Sequence, residues 1–265
     1  MTTTIPASSS PPPPAHLPKN PLLVNHITSA GGHWLPLDVT SPSAPSVVHT
    51  ALSIYGHIDY FVNNAGYSLL GAIESFSEAE YRQQMEVNFF APLRLIQTIL
   101  PSMRERKSGC IVNFSSTAGL DGIAAYGMYS ASKFALEGMS ESLAKEVAEF
   151  GIRVVIVEPG AFRSRFLDNV VATEKGVGED YKDTIVGEQI KTSGEWNGKQ
   201  PGDVEKGVQR IFDVVTGTGL GKGKEGYLRC PLGRDLAEIV QGKIVDLVKT
   251  KTVFEDIWNS TDVEE

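Results

Sequence analysis

Cysteine is scarce in this sequence of 265 residues, which contains two, Cys110 and Cys230. Cys110 lies at the start of an apolar stretch, so we expect buried free thiols in a reducing compartment. No apolar run approaches the ~18 residues that a membrane-spanning helix needs. The N-terminus lacks an apolar signal core and an arginine-rich amphipathic pattern. These absences predict a soluble cytoplasmic protein with no membrane span.

Basic clusters and clusters of metal ligands are missing as well. The net charge is −8 and the pI about 5.2, with no run of Lys or Arg, which argues against a nucleic-acid surface. Cysteines and histidines are scattered, so no metal site is expected. The five histidines all precede residue 58, and no Gly-x-Ser-x-Gly sequence occurs, which disfavours a serine hydrolase.

The length and the 41% of hydrophobic residues suit one α/β domain with a sizeable core. Residues 1–20 are polar and proline-rich, and are predicted to be disordered. Residues 21–250 are predicted to form the single domain. Within it, residues 163–200 are interpreted as a flexible flap over the site. Residues 251–265 are predicted to be a loosely packed acidic tail.

Short apolar runs alternate with stretches whose apolar residues recur three or four positions apart. The predicted strands are 34–37, 58–62, 110–114, 152–157 and 226–230. The predicted helices are 44–55, 77–103, 128–150, 204–215 and 236–248. Ser77 and Glu80 have the spacing of a capping box at the start of the second helix. Regular alternation of this kind predicts an α/β fold with a doubly wound parallel sheet.

Polar or turn-forming residues follow four of the predicted strands. They are Asp38, Asn64, Ser116 and Gly160. The carboxyl ends of parallel strands lie at one edge of a sheet, where such sheets bind their ligands. We therefore expect these four residues to gather at that edge.

Tyr129 and Lys133 are four residues apart and would share one face of a helix. A phenol has a pKa of ~10, and a nearby ammonium favours the phenolate and lowers that pKa. Such a pair suits proton transfer in a carbonyl/alcohol interconversion, with Ser116 holding the substrate oxygen. The pair alone equally fits a half-buried aromatic beside a solvated lysine, because chance matches of this spacing are common.

Several motifs in order resemble the short-chain dehydrogenase/reductase family. Tyr129 to Lys133 matches its Tyr-x-x-x-Lys motif, and Ser116 precedes Tyr129 by the family's thirteen positions. Asn63-Asn64-Ala65-Gly66 is similar to its Asn-Asn-Ala-Gly motif, and Pro159-Gly160 to the turn after its sixth strand. The resemblance covers about residues 34–250. It implies a Rossmann-like doubly wound sheet.

The resemblance also implies roles for individual residues. Ser116, Tyr129, Lys133 and Asn88 would be catalytic, with Asn88 binding a water that continues the proton relay of the lysine. The implied cofactor-binding residues are Asp38, Asn64, Tyr129, Lys133, Phe162 and Ser164. Four of the catalytic and cofactor-binding residues also have a purely structural interpretation. Asn88 could be an exposed helix residue and Asn64 a turn residue. Asp38 could be a helix-cap residue, and Phe162 could serve packing alone.

The function that the resemblance implies is an NAD(P)-dependent oxidoreductase. It would interconvert a ketone or aldehyde and an alcohol, with NADP(H) preferred over NAD(H). Apolar residues near the site indicate a largely apolar small-molecule substrate, namely Leu69, Leu70, Leu120, Phe162 and Phe166. A homodimer or homotetramer would form through helices 78–103 and 128–150.

The sequence departs from the family in its first part. The family begins with a strand, a Thr-Gly-x-x-x-Gly-x-Gly turn, a helix and a second strand, and the turn binds the cofactor pyrophosphate. We do not identify that turn in this sequence: the only early glycine pair, Gly31-Gly32, lies too close to Asp38 for a helix and a strand to intervene. We expect an N-terminally truncated fold that lacks the first βαβ unit. Two hypotheses remain: an active oxidoreductase, or a non-catalytic relative with impaired cofactor binding and a structural or interaction role.

Overall fold

A computed structural model describes residues 21–263 of the chain. Its central sheet has four parallel strands. In spatial order they are β1 (Tyr60–Asn63), β3 (Gly109–Phe114), β4 (Ile152–Pro159) and β6 (Arg229–Leu232). The two central strands are rich in buried Val and Ile, as expected for strands covered on both faces.

Helices cover the two faces of this sheet. On one face, α2 (Ala44–Tyr55), α4 (Ala91–Arg106) and α5 (Gly127–Val147) pack in one apolar cluster with β3 and β4. On the other face, α7 (Val204–Thr216) packs over alternate residues of β3, β4 and β6. The predicted Rossmann-like, doubly wound architecture is confirmed.

The segment before β1 differs from the prediction. The strand predicted at 34–37 is wrong, because only Leu37 forms an isolated bridge. Pro36 has no N–H to donate to a ladder, which disfavours pairing there. The preceding residues form α1 (Pro21–Ser29), which was not predicted. No strand precedes β1 within residues 21–263, so β1 is an edge strand of the sheet.

The helix predicted over 77–103 consists of three parts. They are α3 (Glu78–Met85), a π-helical turn (Glu86–Phe90) and α4. The capping box at the start of α3 is confirmed, since Ser77 accepts from Glu80 N and the Glu80 side chain accepts from Ser77 N. The π turn, which closes i→i+5 hydrogen bonds, was not predicted.

The segment 163–200 contains regular structure. Its strand β5 (Val170–Ala172) pairs with β2 (Ser68–Leu70), and its helix α6 (Ile185–Trp196) packs onto residues of α5. Its flexibility remains a prediction. The predicted disorder of residues 1–20 lies outside the described residues.

The C-terminal part is more helical than predicted. Helix α8 (Arg234–Val253) extends past residue 248, and α9 (Glu255–Asn259) follows it. Residues 251–263 of the predicted tail are all exposed. None of the helices between residues 21 and 263 is long and apolar enough to cross a membrane.

Candidate active site

Tyr129 and Ser116 meet at the carboxyl edge of the sheet. Ser116 follows β3 in extended conformation, and its hydroxyl accepts a hydrogen bond from Ala118 N at 3.2 Å. Tyr129 lies in the first turn of α5 and is 7% exposed; burial raises the pKa of its phenol, and the nearby Ser116 side chain acts to lower it. The strand end and the helix start therefore bring together the serine and the tyrosine that the sequence predicts as partners.

Lys133 lies one helical turn further along α5 and is buried. Its Nζ donates to the Phe114 carbonyl at 2.7 Å and lies 5.7 Å from the centre of the Tyr129 ring. The loop after β1 approaches closely: a Cβ on Gly66 would lie 3.6 Å from Lys133 Nζ and 3.3 Å from Asn88 Oδ1. Glycine at position 66 therefore lets the loop reach both side chains.

Asn88 sits in the π turn and points inward. It is 1% exposed. Its Nδ2 donates to Tyr67 O and to Ser132 Oγ, both at 3.0 Å, and its Oδ1 accepts from Tyr67 N at 3.2 Å. The alternative of an exposed helix residue is wrong. Through these hydrogen bonds, Asn88 connects Tyr67, which follows Gly66, to helix α5 at Ser132.

The electrostatics of the pair differ from the prediction. Burial raises the pKa of Tyr129 to about 12, against a lowering effect of the Ser116 hydrogen bond. Burial lowers the pKa of Lys133 to about 8, against a raising effect of the Glu137 carboxylate. The expected net lowering of the Tyr129 pKa is not found, because the loss of solvent on burial is the largest effect on the phenol. Tyr129 is therefore protonated at neutral pH, and Lys133 is mostly charged.

An apolar wall surrounds the phenol. The Phe166 ring lies 5.6 Å from the Tyr129 ring, centre to centre. Val186 and Ile190 of α6 pack in the same cluster, together with Leu70. The Tyr126 hydroxyl donates to Ser193 Oγ of α6 at 2.7 Å. The segment interpreted as a flap thus covers the site mainly with apolar side chains.

The other predicted cofactor-binding residues make separate local contacts. Asn64 and Ser164 are exposed, and Ser164 Oγ accepts from Phe166 N. The Phe162 ring packs against Gly202 and Gly207, in agreement with the packing alternative. Asp38 Oδ1 accepts from the N–H and hydroxyl of Thr40. No hydrogen bond found among residues 21–263 joins Asp38 to Ser116, Tyr129 or Lys133.

These residues fit the nicotinamide end of a dinucleotide. Lys133 has three N–H donors, and the hydrogen bonds described for residues 21–263 use one of them, on Phe114 O. Gly66 is exposed beside it and has no side chain to obstruct a ribose. The ammonium and the adjoining open loop suit a ribose with its hydroxyl groups.

For the pyrophosphate end, the first glycine pair of the described residues does not form the family's phosphate-binding turn. Gly31 and Gly32 close the C-terminal end of α1, where Gly32 N donates to Ile27 O. Carbonyl groups there give a negative potential, which disfavours phosphate.

The family's glycine pattern does occur later, at 216–223, and the sequence reasoning missed it. Gly217 ends α7 with φ 70°, so the pattern follows a helix instead of opening one. Leu220 N donates to the Asp213 carboxylate at 3.3 Å. The turn therefore already holds an internal carboxylate and does not offer a phosphate site.

Sequence reasoning also missed a charged cluster behind Lys133. Arg229 of β6 forms short ion pairs with Glu137 and Glu141 of α5 and with Glu158 of β4. Glu137 is four residues after Lys133, which is a spacing that places both on one helix face. That spacing was the only sequence signal, since Arg229 is 92 residues away from Glu137 in the chain.

Comparisons with known proteins agree with this geometry. The short chain dehydrogenase family profile matches residues 21–175. An uncharacterized oxidoreductase, YusZ of Bacillus subtilis, is 34% identical over 81% of this chain and 75% of its own length. A 3-ketodihydrosphingosine reductase of Bacteroides thetaiotaomicron is 44% identical over 57% of each chain.

A solved structure is also similar. A short-chain dehydrogenase from Streptomyces avermitilis superposes with a TM-score of 0.78 and 35% identity, over 91% of this chain and 86% of its own. The chain spans less than two thirds of the length of two of the curated relatives that it matches, with 64% for one and 57% for the reductase named above.

Proposed function

This chain belongs to the short-chain dehydrogenase family of oxidoreductases, and we propose that it interconverts a ketone or aldehyde and an alcohol with NADP(H) or NAD(H). The observation that carries the proposal is the proximity of Ser116 to the buried Tyr129, with Lys133 one turn away on α5. A hydroxyl pair of this kind can hold and protonate one carbonyl oxygen. We propose NADP(H) instead of NAD(H) as the preferred cofactor, and this choice depends only on the family resemblance.

In the reducing direction, the hydride for the carbonyl carbon would come from a nicotinamide held beside Lys133 and Gly66. Ser116 donates a hydrogen bond to the carbonyl oxygen and holds it beside Tyr129. As the carbon–oxygen π electrons move onto that oxygen, the Tyr129 phenol donates its proton there. Lys133 stabilises the resulting phenolate and binds the ribose. Asn88 keeps the loop at Tyr67 in place beside Lys133.

The proposed substrate is a largely apolar small molecule. The wall around Tyr129 is formed by Phe166, Val186, Ile190 and Leu70, so the reacting carbonyl would be surrounded mainly by hydrocarbon. Burying apolar substrate surface against these side chains is favourable by roughly 25 cal/mol per Å². One relative of this chain bears the name 3-ketodihydrosphingosine reductase, which is in keeping with a ketone substrate.

The test is turnover of the Tyr129→Phe variant with NADPH and a panel of aliphatic ketones. Turnover should fall by at least about a hundredfold, since general acid catalysis contributes ~10²–10⁴. NADPH affinity should stay within about twofold of the wild-type value. Tyr126→Phe is the matched control, because its hydroxyl bonds Ser193 instead of Ser116 and measurable turnover should remain. A Tyr129→Phe protein that keeps wild-type turnover would refute the assignment.

A second candidate is a non-catalytic relative with a structural or interaction role. The observation that favours it is the use of both glycine-rich segments, at Gly31–Gly32 and at 216–223, to close helix ends. NADPH fluorescence on the purified chain separates the two candidates. Binding in the micromolar range supports the oxidoreductase, whereas no binding at millimolar NADPH supports the second candidate for this chain.

A further inference from the structure

The charged cluster behind the site has an unusual balance of charges. Two of its carboxylates, those of Glu137 and Glu158, are almost fully buried, with side chains 4% and 2% exposed. Both pair with the single guanidinium of Arg229, which is about one third exposed, and the outer Glu141 pairs with it as well. Three carboxyl groups thus share one cation among the groups described here. Two of these carboxyl groups, Glu137 and Glu141, belong to α5, and Glu158 reaches the same arginine from β4.

Glu137 joins this cluster to the catalytic strand end. Ser115 Oγ donates to Glu137 Oε1 at 2.5 Å. Ser115 stands between Phe114, whose carbonyl accepts from Lys133, and Ser116, whose side chain lies near the Tyr129 phenol. A shift of Ser115 would therefore move both the hydrogen bond at Phe114 and the side chain of Ser116.

The local packing is built around this contact. A Cβ on Gly119 would lie 2.4 Å from Ser115 Oγ and 2.5 Å from Glu137 Oε1. Such distances exclude any side chain at position 119 unless the Ser115–Glu137 pair moves. The absence of a side chain there leaves room for the hydrogen bond.

The charged and titratable groups facing Lys133 come from three elements. Helix α5 contributes Tyr129 and Glu137, and behind Glu137 lie Glu141 of α5, Glu158 of β4 and Arg229 of β6. Tyr129 is neutral near pH 7. Burial and, to a smaller extent, the Glu80 carboxylate on α3 raise the pKa of the Tyr67 phenol to about 12. Glu137 is the charged group that acts most directly on the lysine. Its negative charge opposes the effect of burial on the ammonium.

We propose that Glu137 is a positioning residue of the active site: it fixes the Phe114–Ser116 strand end through Ser115, and its carboxylate keeps Lys133 protonated. The effect on turnover rests on the proposed function, whereas the effect of Glu137 on the protonation of Lys133 can be measured without any turnover. Arg229 pairs with the Glu137 carboxylate and acts to lower its pKa, against the larger raising effect of burial. The charge of Glu137 in turn opposes the effect of burial on the Lys133 ammonium.

The test is the titration of Lys133, followed by NMR on the purified chain with ¹³Cε-labelled lysine and assigned by its loss in Lys133→Met. Glu137→Gln should lower the pKa of Lys133 by about one unit, as expected for loss of a nearby opposite charge. Glu141→Gln is the matched control on the same helix and the same arginine, and should shift it by less than about a third as much. A Lys133 titration unchanged in Glu137→Gln would overturn the proposal.

A second measurement covers the case in which Glu137→Gln does not fold. Coupling between two titrating groups is reciprocal, so Lys133→Met should raise the pKa of the Glu137 carboxyl. An unchanged Glu137 titration in that variant overturns the proposal equally.

Activity gives the third readout. If the chain turns over a ketone, the pH at which turnover falls on the alkaline side should move down in Glu137→Gln by the same amount as the Lys133 titration. Glu137→Asp, which keeps the charge, should restore most of that shift. An unchanged pH dependence of turnover in Glu137→Gln would overturn the positioning role of Glu137 in catalysis. No turnover in the wild-type chain, together with a shifted Lys133 titration, would refute the proposed function and leave the coupling standing.

Discussion

The Arg229→Met substitution removes the guanidinium that Glu137 and Glu158 share, while keeping a long side chain that covers β6. Breaking a buried ion pair by removing one partner destabilises by ~3–5 kcal/mol. Because Arg229 is about one third exposed, water already screens part of the interaction. We therefore expect a loss at the low end, about 3 kcal/mol at pH 8, which is a large fraction of the ~5–15 kcal/mol that stabilises a domain.

The size of this loss should depend on pH. Burial raises the pKa of Glu137 and of Glu158 above the ordinary 4.5, and Arg229 acts against that rise. Without Arg229 both pKa values rise further. A carboxyl with a raised pKa binds its proton more tightly in the folded chain, so stability falls as pH increases from about 4.5 through the raised value. The loss in Arg229→Met should therefore be small near pH 5 and complete near pH 8.

The assay is urea-induced unfolding followed by circular dichroism at pH 5 and pH 8. Arg82→Met is the matched control, because the Arg82–Glu78 pair is exposed, with side chains 72% and 64% accessible. Its loss should stay within about 0.5 kcal/mol at both pH values. A loss below about 1 kcal/mol in Arg229→Met at pH 8, or an equal loss at the two pH values, would refute this reasoning.

Three further predictions use the same unfolding assay. The pKa of Lys133 is about 8 in the folded chain against 10.5 ordinarily, so the unfolded chain binds more protons between these values and stability rises with pH there. The full rise in the free energy of unfolding is about 3 kcal/mol, and Lys133→Met should lack it. Parallel pH profiles of stability for Lys133→Met and the wild-type chain would contradict this. Ser77→Ala removes the capping box of α3 and should lose about 1 kcal/mol, whereas no loss would show that the cap is dispensable. Gly119→Ala should lose about 1–3 kcal/mol by forcing Ser115 and Glu137 apart, and an unchanged urea midpoint would contradict that packing.

Local signals in the sequence were sufficient for much of the fold. Helix α2 spans the same residues as predicted, because its apolar residues recur with helical spacing and Gly56 ends it in left-handed conformation. The capping box at Ser77 was predictable because all of its atoms lie within four residues. The central strands were predictable because their Val and Ile runs are short and continuous. The set Ser116, Tyr129 and Lys133 was instead proposed from the resemblance to the dehydrogenase family, since the Tyr129–Lys133 spacing alone also fits a chance match.

Features that depend on distant parts of the chain were not predictable in this way. The raised pKa of Tyr129 arises from burial, to which Phe166 and α6 contribute, and these follow it in the sequence by tens of residues. The Glu137–Arg229 pair joins α5 to β6. The predicted strand 34–37 failed because β-forming residues alone do not supply a partner strand. The site is thus legible as a set of residues, but its electrostatics follow from tertiary packing.

The π turn at Glu86–Phe90 has a consequence for how chain length is constrained. It holds one residue more than a regular helical turn would, and each residue of a helix contributes ~100° of rotation. Deleting one residue there would leave a regular α turn, in which α3 keeps nearly its present rotation relative to α4. Gln84 would then still face the backbone of Tyr67 and Leu69, which it now bonds. A deletion of one residue from the regular part of α4 before Leu95 would instead turn α3 by about 100° and carry Gln84 away from these partners.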